Sequence, residues 1–423
     1  MATTLIVGSQ WGDEGKGKII DYLSRTANYI IRFHGGNNAG HTVINDFGKF
    51  GLHLIPAGIF NKKATAFITN GTVIDLQVLL TEIEMLQKAG IKLQGKLLIS
   101  PRCHLIMPYH KLLDHLIEEA KGKYKTGTTG RGIGPVYADK VSYNGIRLGD
   151  LLDKKLFLKK LEIQLLVKNK ILIALGEKAL KLNDLEKEFE TFRKKIKSYV
   201  AEPYLLIQKA LKNRKNILLE GAQGVFLDND WGTYPFVTAS TVLSGGITAG
   251  AGIAPTKIEN IIGVVKAYTT RVGSGPFPTE LVNNDGEKLR KTGNEFGTTT
   301  GRPRRCGWFD AELIRFAVEI NGFTDLAITK LDILDSFTEI KLCTGYTHKG
   351  KKVTYSDGDA QFLSEVKPVY KTFKGWMKST NGIKKYDELP SQAKIYLKEI
   401  EKLVGTKISY ISTGAKTNEI IKI

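Results

Sequence analysis

Little in this sequence suits a chain that lives outside the cell or inside a membrane. Three cysteines, Cys103, Cys306 and Cys343, are spread through 423 residues with no CxxC or metal-ligand spacing. That excludes a disulfide framework and a thiolate zinc centre, and the plain expectation is free thiols in a reducing compartment. No apolar run approaches the roughly 18 residues of a membrane-crossing helix. The opening residues Met1-Ala2-Thr3-Thr4-Leu5 lack the basic and apolar regions of a secretory leader. A cytoplasmic location is therefore expected, with no membrane partner.

Acidic residues are also scarce: 43 Asp and Glu face 62 Lys and Arg, a formal net charge of +19. Such a balance suits a nucleic-acid binder or an enzyme of polyanionic substrates. The lysines crowd residues 151–215, between leucines and isoleucines at helical spacing. They read as the solvated faces of amphipathic helices. Aromatic residues do not interleave with them as base-stacking platforms would, so no nucleic-acid partner is expected.

What the sequence does hold is glycine, 44 residues of it, much of it clustered. The clusters punctuate short β-branched and apolar runs: Thr4–Val7, Tyr29–Phe33, Ala66–Thr69, Lys96–Ile99, Asn216–Leu219, Ile261–Tyr268, Leu326–Lys330 and Glu339–Thr344. Several are continuously apolar, as strands buried on both faces of a parallel sheet must be. Helical patterns lie between them at Leu76–Ala89, Tyr109–Lys121, 151–215, Asp310–Asn321 and Leu389–Val404. The alternation predicts an α/β fold with a mostly parallel central sheet. The 104–215 region is mostly helical and reads as a subdomain decorating that core.

Gly8 to Lys18 (GSQWGDEGKGK) follows the first strand and opens the first helix. Glycines let backbone N–H groups approach a phosphate, and the helix N-terminus favours its charge. Gly12 to Lys18 satisfies G-x4-G-K, but Ile19 stands where a Walker A loop has Ser or Thr to hold magnesium. Asp13 is the substitute ligand, because hard Mg2+ prefers carboxylate oxygen. The next loop, Asn37 to Thr42, brings His41. Adjacent parallel strands deliver their following loops to one sheet edge, so Asp13 and His41 are expected to meet there as a base and acid pair.

Thr329-Lys330-Leu331-Asp332 ends a strand and matches the guanine-reading NKxD element of GTPases, with Thr for Asn. An Asp there accepts from guanine N1–H and its amine, donors that adenine lacks. The turn Ile411 to Gly414 is a candidate to close over the base edge. Two further loops, Thr126 to Gly134 and Gly297 to Arg305, combine hydroxyls, exposed amides and arginine, the set that clamps phosphate or carboxylate. They imply more than one anionic ligand.

Nine segments in order, QWGDEGKGK (10–18), GGNNAGHT (35–42), TGTTGRGIGP (126–135), EGAQG (220–224), GTYPFVTAS (232–240), TRVGSGPFPTE (270–280), NEFGTTTGRPRR (294–305), TKLDILD (329–335) and ISTG (411–414), closely resemble the adenylosuccinate synthetase family over the whole chain. The resemblance implies a P-loop-NTPase-like sheet with the helical subdomain inserted around 104–215, in a single catalytic domain spanning 1–423. It implies a homodimer that ligates L-aspartate to IMP through a 6-phosphoryl intermediate. GTP is the co-substrate and one Mg2+ sits on Asp13 and the Gly40 carbonyl. Asp13, His41 and Lys16 are then catalytic. GTP would be held by Gly12, Glu14, Gly15, Lys16, Gly17, Lys18, Gly40, His41, Thr42, Lys330, Asp332, Ser412, Thr413 and Gly414. IMP would be held by Asp13, Asn38, Thr128, Thr129, Gln223, Thr238 and Arg302. The aspartate loop would be Thr298, Thr299, Thr300, Arg302 and Arg304.

The sequence departs from the family pattern at four places. Tyr143 stands where an arginine commonly reaches the neighbouring subunit, Pro303 replaces an arginine, and Asn37 and His34 stand where histidine and glutamine are frequent. A simple GTP hydrolase would have no use for the GTTTGRPRR loop. A nucleic-acid binder would have no use for the phosphate loop or the TKLD turn.

Overall fold

The computed structural model describes residues 3–297, 301–355 and 360–423. Nine strands form the central sheet: β1 (Thr3–Gly8), β2 (Tyr29–Arg32), β3 (Thr65–Ile68), β4 (Leu97–Ile99), β5 (Ile217–Glu220), β6 (Asn260–Lys266), β7 (Asp325–Thr329), β8 (Ile408–Ser412) and β9 (Ile420–Lys422). Their spatial order is β9-β8-β7-β6-β1-β5-β2-β3-β4. All pairings are parallel except β8 with β9.

Alternate residues of these strands feed two different cores. Leu5, Val7, Ile31, Leu219 and Val265 pack in one apolar cluster; Ile6, Ile30, Leu218 and Val264 pack in the other. Because side chains alternate across a strand, this division is the signature of a sheet covered on both faces. It explains why the runs read as continuously apolar. Each fully buried Leu, Ile or Val contributes roughly 1.5–3 kcal/mol, so the sheet centre is a rigid platform.

The expected strands form, with three differences. Glu339–His348 belongs to a separate four-stranded sheet with Lys351–Val353, Lys367–Lys374 and Phe309–Asp310. Strands β8 and β9 went unread, being short and flanked by polar residues. The third difference concerns β1 and β2, expected to be neighbours: β5 lies between them. Both still run parallel, so their following loops reach the same edge, but β5 inserts Glu220 between them.

Helices Pro108–Ala120, Ile133–Val141, Leu148–Leu152, Lys154–Ala174, Leu182–Ile196 and Tyr204–Lys212 fill the region expected to be helical. One of them corrects the reading of their faces as simply solvated lysine. Helix Lys154–Ala174 buries Phe157, Leu161, Leu165 and Leu172 yet also exposes Ile163, Leu166, Val167 and Ile173.

The parallel strands end in residues unlike their interiors. Gly8, Arg32, Glu220, Lys266, Thr329 and Ser412 close β1, β2, β5, β6, β7 and β8 at the carboxyl edge. In open parallel sheets, ligands bind outside this edge.

Candidate active site

The β1–α1 loop is shaped by its own carboxylate. Helix α1 (Lys16–Ser24) starts after Gly15, whose φ of 89° is left-handed. The buried Glu14 accepts from the amides of Gln10 (3.0 Å) and Gly12 (2.9 Å) through Oε1, and from Lys16 Nζ at 2.6 Å through Oε2. Lys16 also donates to the Gln223 carbonyl. A Cβ on Gly8 would lie 2.5 Å from Glu14 Oε2 and 2.7 Å from Lys16 Nζ, so only glycine lets the loop fold back this tightly. Asp13, Gln223 and Lys330 all hold left-handed backbones although none is glycine. Such strain gathers where geometry is dictated by a site.

His41 opens the hairpin His41–Asn45 and Gly48–Leu52. A Cβ on Gly17 would come within 2.9 Å of the His41 Cβ, so the hairpin sits directly on the start of α1. His41 Nδ1 lies 2.6 Å from Glu220 Oε1, which also accepts from Arg32 Nη1 at 2.9 Å; Glu220 Oε2 accepts from the Ala57 amide at 2.7 Å. Burial works against the Glu220 charge, but His41, Arg32 and that amide outweigh it and hold the carboxylate below its ordinary range. Burial also lowers His41, more than Glu220 raises it, which favours the neutral imidazole. Its proton sits on Nδ1, and Nε2 is buried with no hydrogen-bond partner.

Asp13 meets Arg304. Arg304 Nε donates to Asp13 Oδ2 at 2.7 Å, and Arg304 Nη1 pairs with Glu295. Glu295 is fully buried and also receives Lys266 Nζ (2.8 Å), Lys330 Nζ (3.0 Å) and the Tyr268 hydroxyl. Burial opposes its charge, but Lys266, Lys330 and Arg304 hold it well below the carboxylate range. Burial in turn brings Lys266 down to about 8 against the pull of Glu295. Lys330 and Arg304, expected at the guanine and aspartate ends of the site, thus share one buried anion.

The other expected residues gather in three groups. Gln223 Nε2 donates to Asn38 Oδ1 (3.0 Å) and Asn38 Nδ2 to Thr238 Oγ1 (3.2 Å), leaving Gln223 Oε1 buried and unpartnered. Arg302 reaches the carbonyls of Gly127 (3.4 Å) and Thr128 (3.3 Å), which joins the two distant anion loops. Lys18 Nζ clasps the C-terminal turn through Ser412 Oγ (2.8 Å) and the Gly414 carbonyl (2.7 Å). Thr413 Oγ1 is instead committed to the Ile383 carbonyl at 2.8 Å. Burial lowers Lys18 to about 8, with Glu419 and Asp332 opposing. Burial raises Asp332, whose Oδ1 has no partner. Gly40 and Thr42 flank His41, while Thr129 is exposed. Thr298, Thr299 and Thr300 lie outside the described residues.

Two of the departing residues are built into the structure. His34 Nε2 accepts from the Ala222 amide at 3.0 Å, and Asn37 Nδ2 donates to Asp75 Oδ2 at 3.0 Å. Glu220, Arg32, Glu295 and Lys266 were absent from the expected site. For Arg32, Glu220 and Lys266 the signal was position, because a charged residue closing a buried strand requires a partner; Glu295 lies in a loop and gave no such signal.

Fold and site together define an α/β enzyme with a glycine-rich strand-to-helix loop and clusters of buried, paired charges at the carboxyl edge of a parallel sheet. The family model for adenylosuccinate synthetase matches residues 5–421. Curated adenylosuccinate synthetases of Thermodesulfovibrio yellowstonii and Clostridium kluyveri are 49% and 47% identical to the chain, covering 100% of it and 99% of each relative. The solved structure of the fully ligated Plasmodium falciparum adenylosuccinate synthetase superposes with a TM-score of 0.95 at 37% identity, covering 100% of both chains. The cyanophage S-2L succinoaminodeoxyadenylate synthetase shares the fold at a TM-score of 0.64 and 18% identity, with 100% of this chain and 95% of that one covered.

The chain belongs to the adenylosuccinate synthetase family. It is a GTP-dependent ligase that joins IMP and L-aspartate in AMP synthesis.

Proposed function

We propose that the ligation runs in two steps at this edge, with Asp13 as base and His41 as the residue facing the transferred phosphoryl group. Asp13 takes the proton from N1 of IMP, and O6 attacks the γ-phosphorus of GTP. The bond to the β,γ-bridging oxygen breaks and GDP leaves. The aspartate amine then attacks C6 of the 6-phosphoryl intermediate, the C6–O bond breaks, phosphate departs and the amine gives up a proton. The observation that carries this reading is the unpartnered Nε2 of His41, whose other nitrogen is fixed by Glu220 beside the start of α1. Arrival of phosphate oxygens favours the imidazolium, and Glu220 favours it too, so Nε2 becomes the donor where charge develops.

Lys16 and the loop amides neutralise the β- and γ-phosphates, and Asp332 with Lys330 reads guanine. Asn38, Gln223 and Thr238 orient IMP, joined by Thr128, Thr129 and Arg302. Arg304, with Arg302 and the 298–300 loop, takes the aspartate carboxylates. The residues fit one Mg2+: Asp13 Oδ2 is held by Arg304 while Oδ1 is free of protein donors among the described residues, with the Gly40 carbonyl in the adjoining loop. Magnesium usually binds through one or two carboxylates plus substrate phosphate, so the lack of a three-ligand cluster among the described residues accords with it. When bound, it would polarise the phosphate oxygens.

The chain is further proposed to be one catalytic domain, to work in the cytoplasm, and to form a homodimer. Val141 (71% exposed), Tyr143 (97%) and Leu166 (66%) support the last point, as part of an apolar face with Ile163, Val167 and Ile173. Gln164 of the same helix bonds Asn144, which places the helix beside Tyr143. No helix among the described residues is long and apolar enough to cross a membrane.

The test is kinetic. Asp13→Asn and His41→Asn should each lower kcat by about 10²-fold or more with folding intact. Either variant at parental rate sinks that residue's role. Sedimentation of Leu166→Glu should give a monomer where the parent is a dimer.

A further inference from the structure

We infer that Asp114 and Glu118 are positioning residues for the substrate phosphate, acting through the 126–132 loop. Both lie on helix Pro108–Ala120, four residues apart and so on one face. The inference rests on the reading above that this loop receives IMP.

The two carboxylates anchor opposite ends of the loop. Glu118 Oε2 accepts from the amides of Gly127 (2.8 Å) and Thr128 (3.4 Å). Its Oε1 accepts from the Thr126 hydroxyl (2.6 Å) and amide (3.3 Å) and from Lys121 Nζ (2.9 Å). Asp114 Oδ2 accepts from the Gly132 amide at 2.8 Å. Between the anchors, no hydrogen bond engages Thr129 or Gly130 among the described residues.

The outer face of the loop is fixed from the opposite side. Arg302 donates to the carbonyls of Gly127 and Thr128, while Glu118 takes the amides of the same residues. The 126–128 segment is therefore clamped with both of its polar edges committed. Thr129 and Gly130 are the part presented to a ligand, with an exposed hydroxyl and free amides. A Cβ on Gly132 would touch the His110 backbone at 3.0 Å, so the far end of the loop lies flush on the same helix. His110 continues that face one turn earlier and holds Asp139 Oδ2 at 2.9 Å, tying helix Ile133–Val141 to the same support.

Glu118 is charged throughout the working range. Burial opposes this, but the Thr126 hydroxyl, Lys121 and the loop amides bring it to about 2. Glutamine at 118 would keep one acceptor oxygen and turn an NH2 group towards amides that also donate. The anchor would fail without emptying any core volume.

The experiment compares Glu118→Gln, Asp114→Ala and Thr129→Ala in steady-state kinetics, with thermal midpoints recorded for each. Glu118→Gln and Asp114→Ala should raise KM for IMP about tenfold with KM for GTP near its parental value, while the loop amides left unpaired lower the thermal midpoint. A merely structural role would raise KM for all three substrates alike, and that result overturns the inference. Thr129→Ala separates the two levels. If it weakens IMP binding while Glu118→Gln does not, the anchors are wrong and the loop assignment stands. If Thr129→Ala leaves KM for IMP unchanged, the loop assignment fails and this inference with it.

Discussion

Replacing Glu220 by Gln tests how His41 is set up. One carboxylate serves three partners: His41 Nδ1 at 2.6 Å, Arg32 Nη1 at 2.9 Å and the Ala57 amide at 2.7 Å. Glutamine has one acceptor oxygen. Turned towards His41 and Arg32, it presents an NH2 group to the Ala57 N–H, which is then buried without an acceptor, at a cost of about 1–3 kcal/mol. Arg32, fully buried, also loses its anion. Breaking a buried ion pair costs about 3–5 kcal/mol when one charge is removed outright, and the retained oxygen should keep the total near ~3 kcal/mol. The larger effect is on chemistry. Without the Glu220 charge the imidazolium form of His41 is no longer favoured, so kcat should fall about 10²–10³-fold. KM values for IMP and GTP should stay within about threefold, because both Glu220 oxygens are committed to His41, Arg32 and the Ala57 amide. The assay follows the absorbance change as the purine gains its 6-amino substituent, after urea unfolding has verified that the variant is folded. A folded Glu220→Gln enzyme with kcat within about threefold of parent would refute the orientation argument.

Three other perturbations have definite outcomes. Gly8→Ala drives a methyl group into Glu14 and Lys16, so it should cost about 1–3 kcal/mol by urea titration and raise KM for GTP. A parental KM there would mean that Lys16 is not placed by this fold-back. Glu295→Gln leaves Lys266, Lys330 and Arg304 around a neutral side chain; the expected loss is about 3–5 kcal/mol, reduced in the double variant that also carries Lys266→Met. Equal losses in the two would argue against charge as the cause. Burial lowers His34, His41, His104 (to about 4) and His110, so the unfolded chain binds more protons between about pH 6.5 and those lowered values, and stability must decrease as the pH is lowered through that window. The thermal midpoint should drop progressively from about pH 7 towards pH 5; a flat profile across that window would contradict neutral burial.

The parts of this enzyme legible in the sequence were those encoded locally. The glycine-rich loop, the His41 turn and Lys330 with Asp332 each sit in a short segment whose composition suggested a chemistry, and the structure places them at the carboxyl edge of the sheet. The apolar runs announced a sheet buried on both faces, and their alternation between two cores follows from it. The unread parts join residues far apart in the chain. Glu220 is 179 residues from His41, and its place between β1 and β2 depends on strand order, which periodicity does not encode. Lys266 closes an otherwise apolar strand, and that lysine alone called for a buried anion; only the fold supplies Glu295. Lysine-rich helix Lys154–Ala174 was read as solvated because its charges were conspicuous, while its second apolar stripe emerged only once the first was packed.

The most direct test of coupled phosphoryl transfer and ligation is phosphate release from GTP with Mg2+, adding IMP and L-aspartate singly and together. The expected result is release only when both are present, with one adenylosuccinate formed per phosphate. Release at the same rate without IMP would contradict it, because the phosphate loop and His41 would then be serving water rather than the O6 of IMP; release at the same rate without aspartate would contradict the coupling, because water would then be consuming the intermediate.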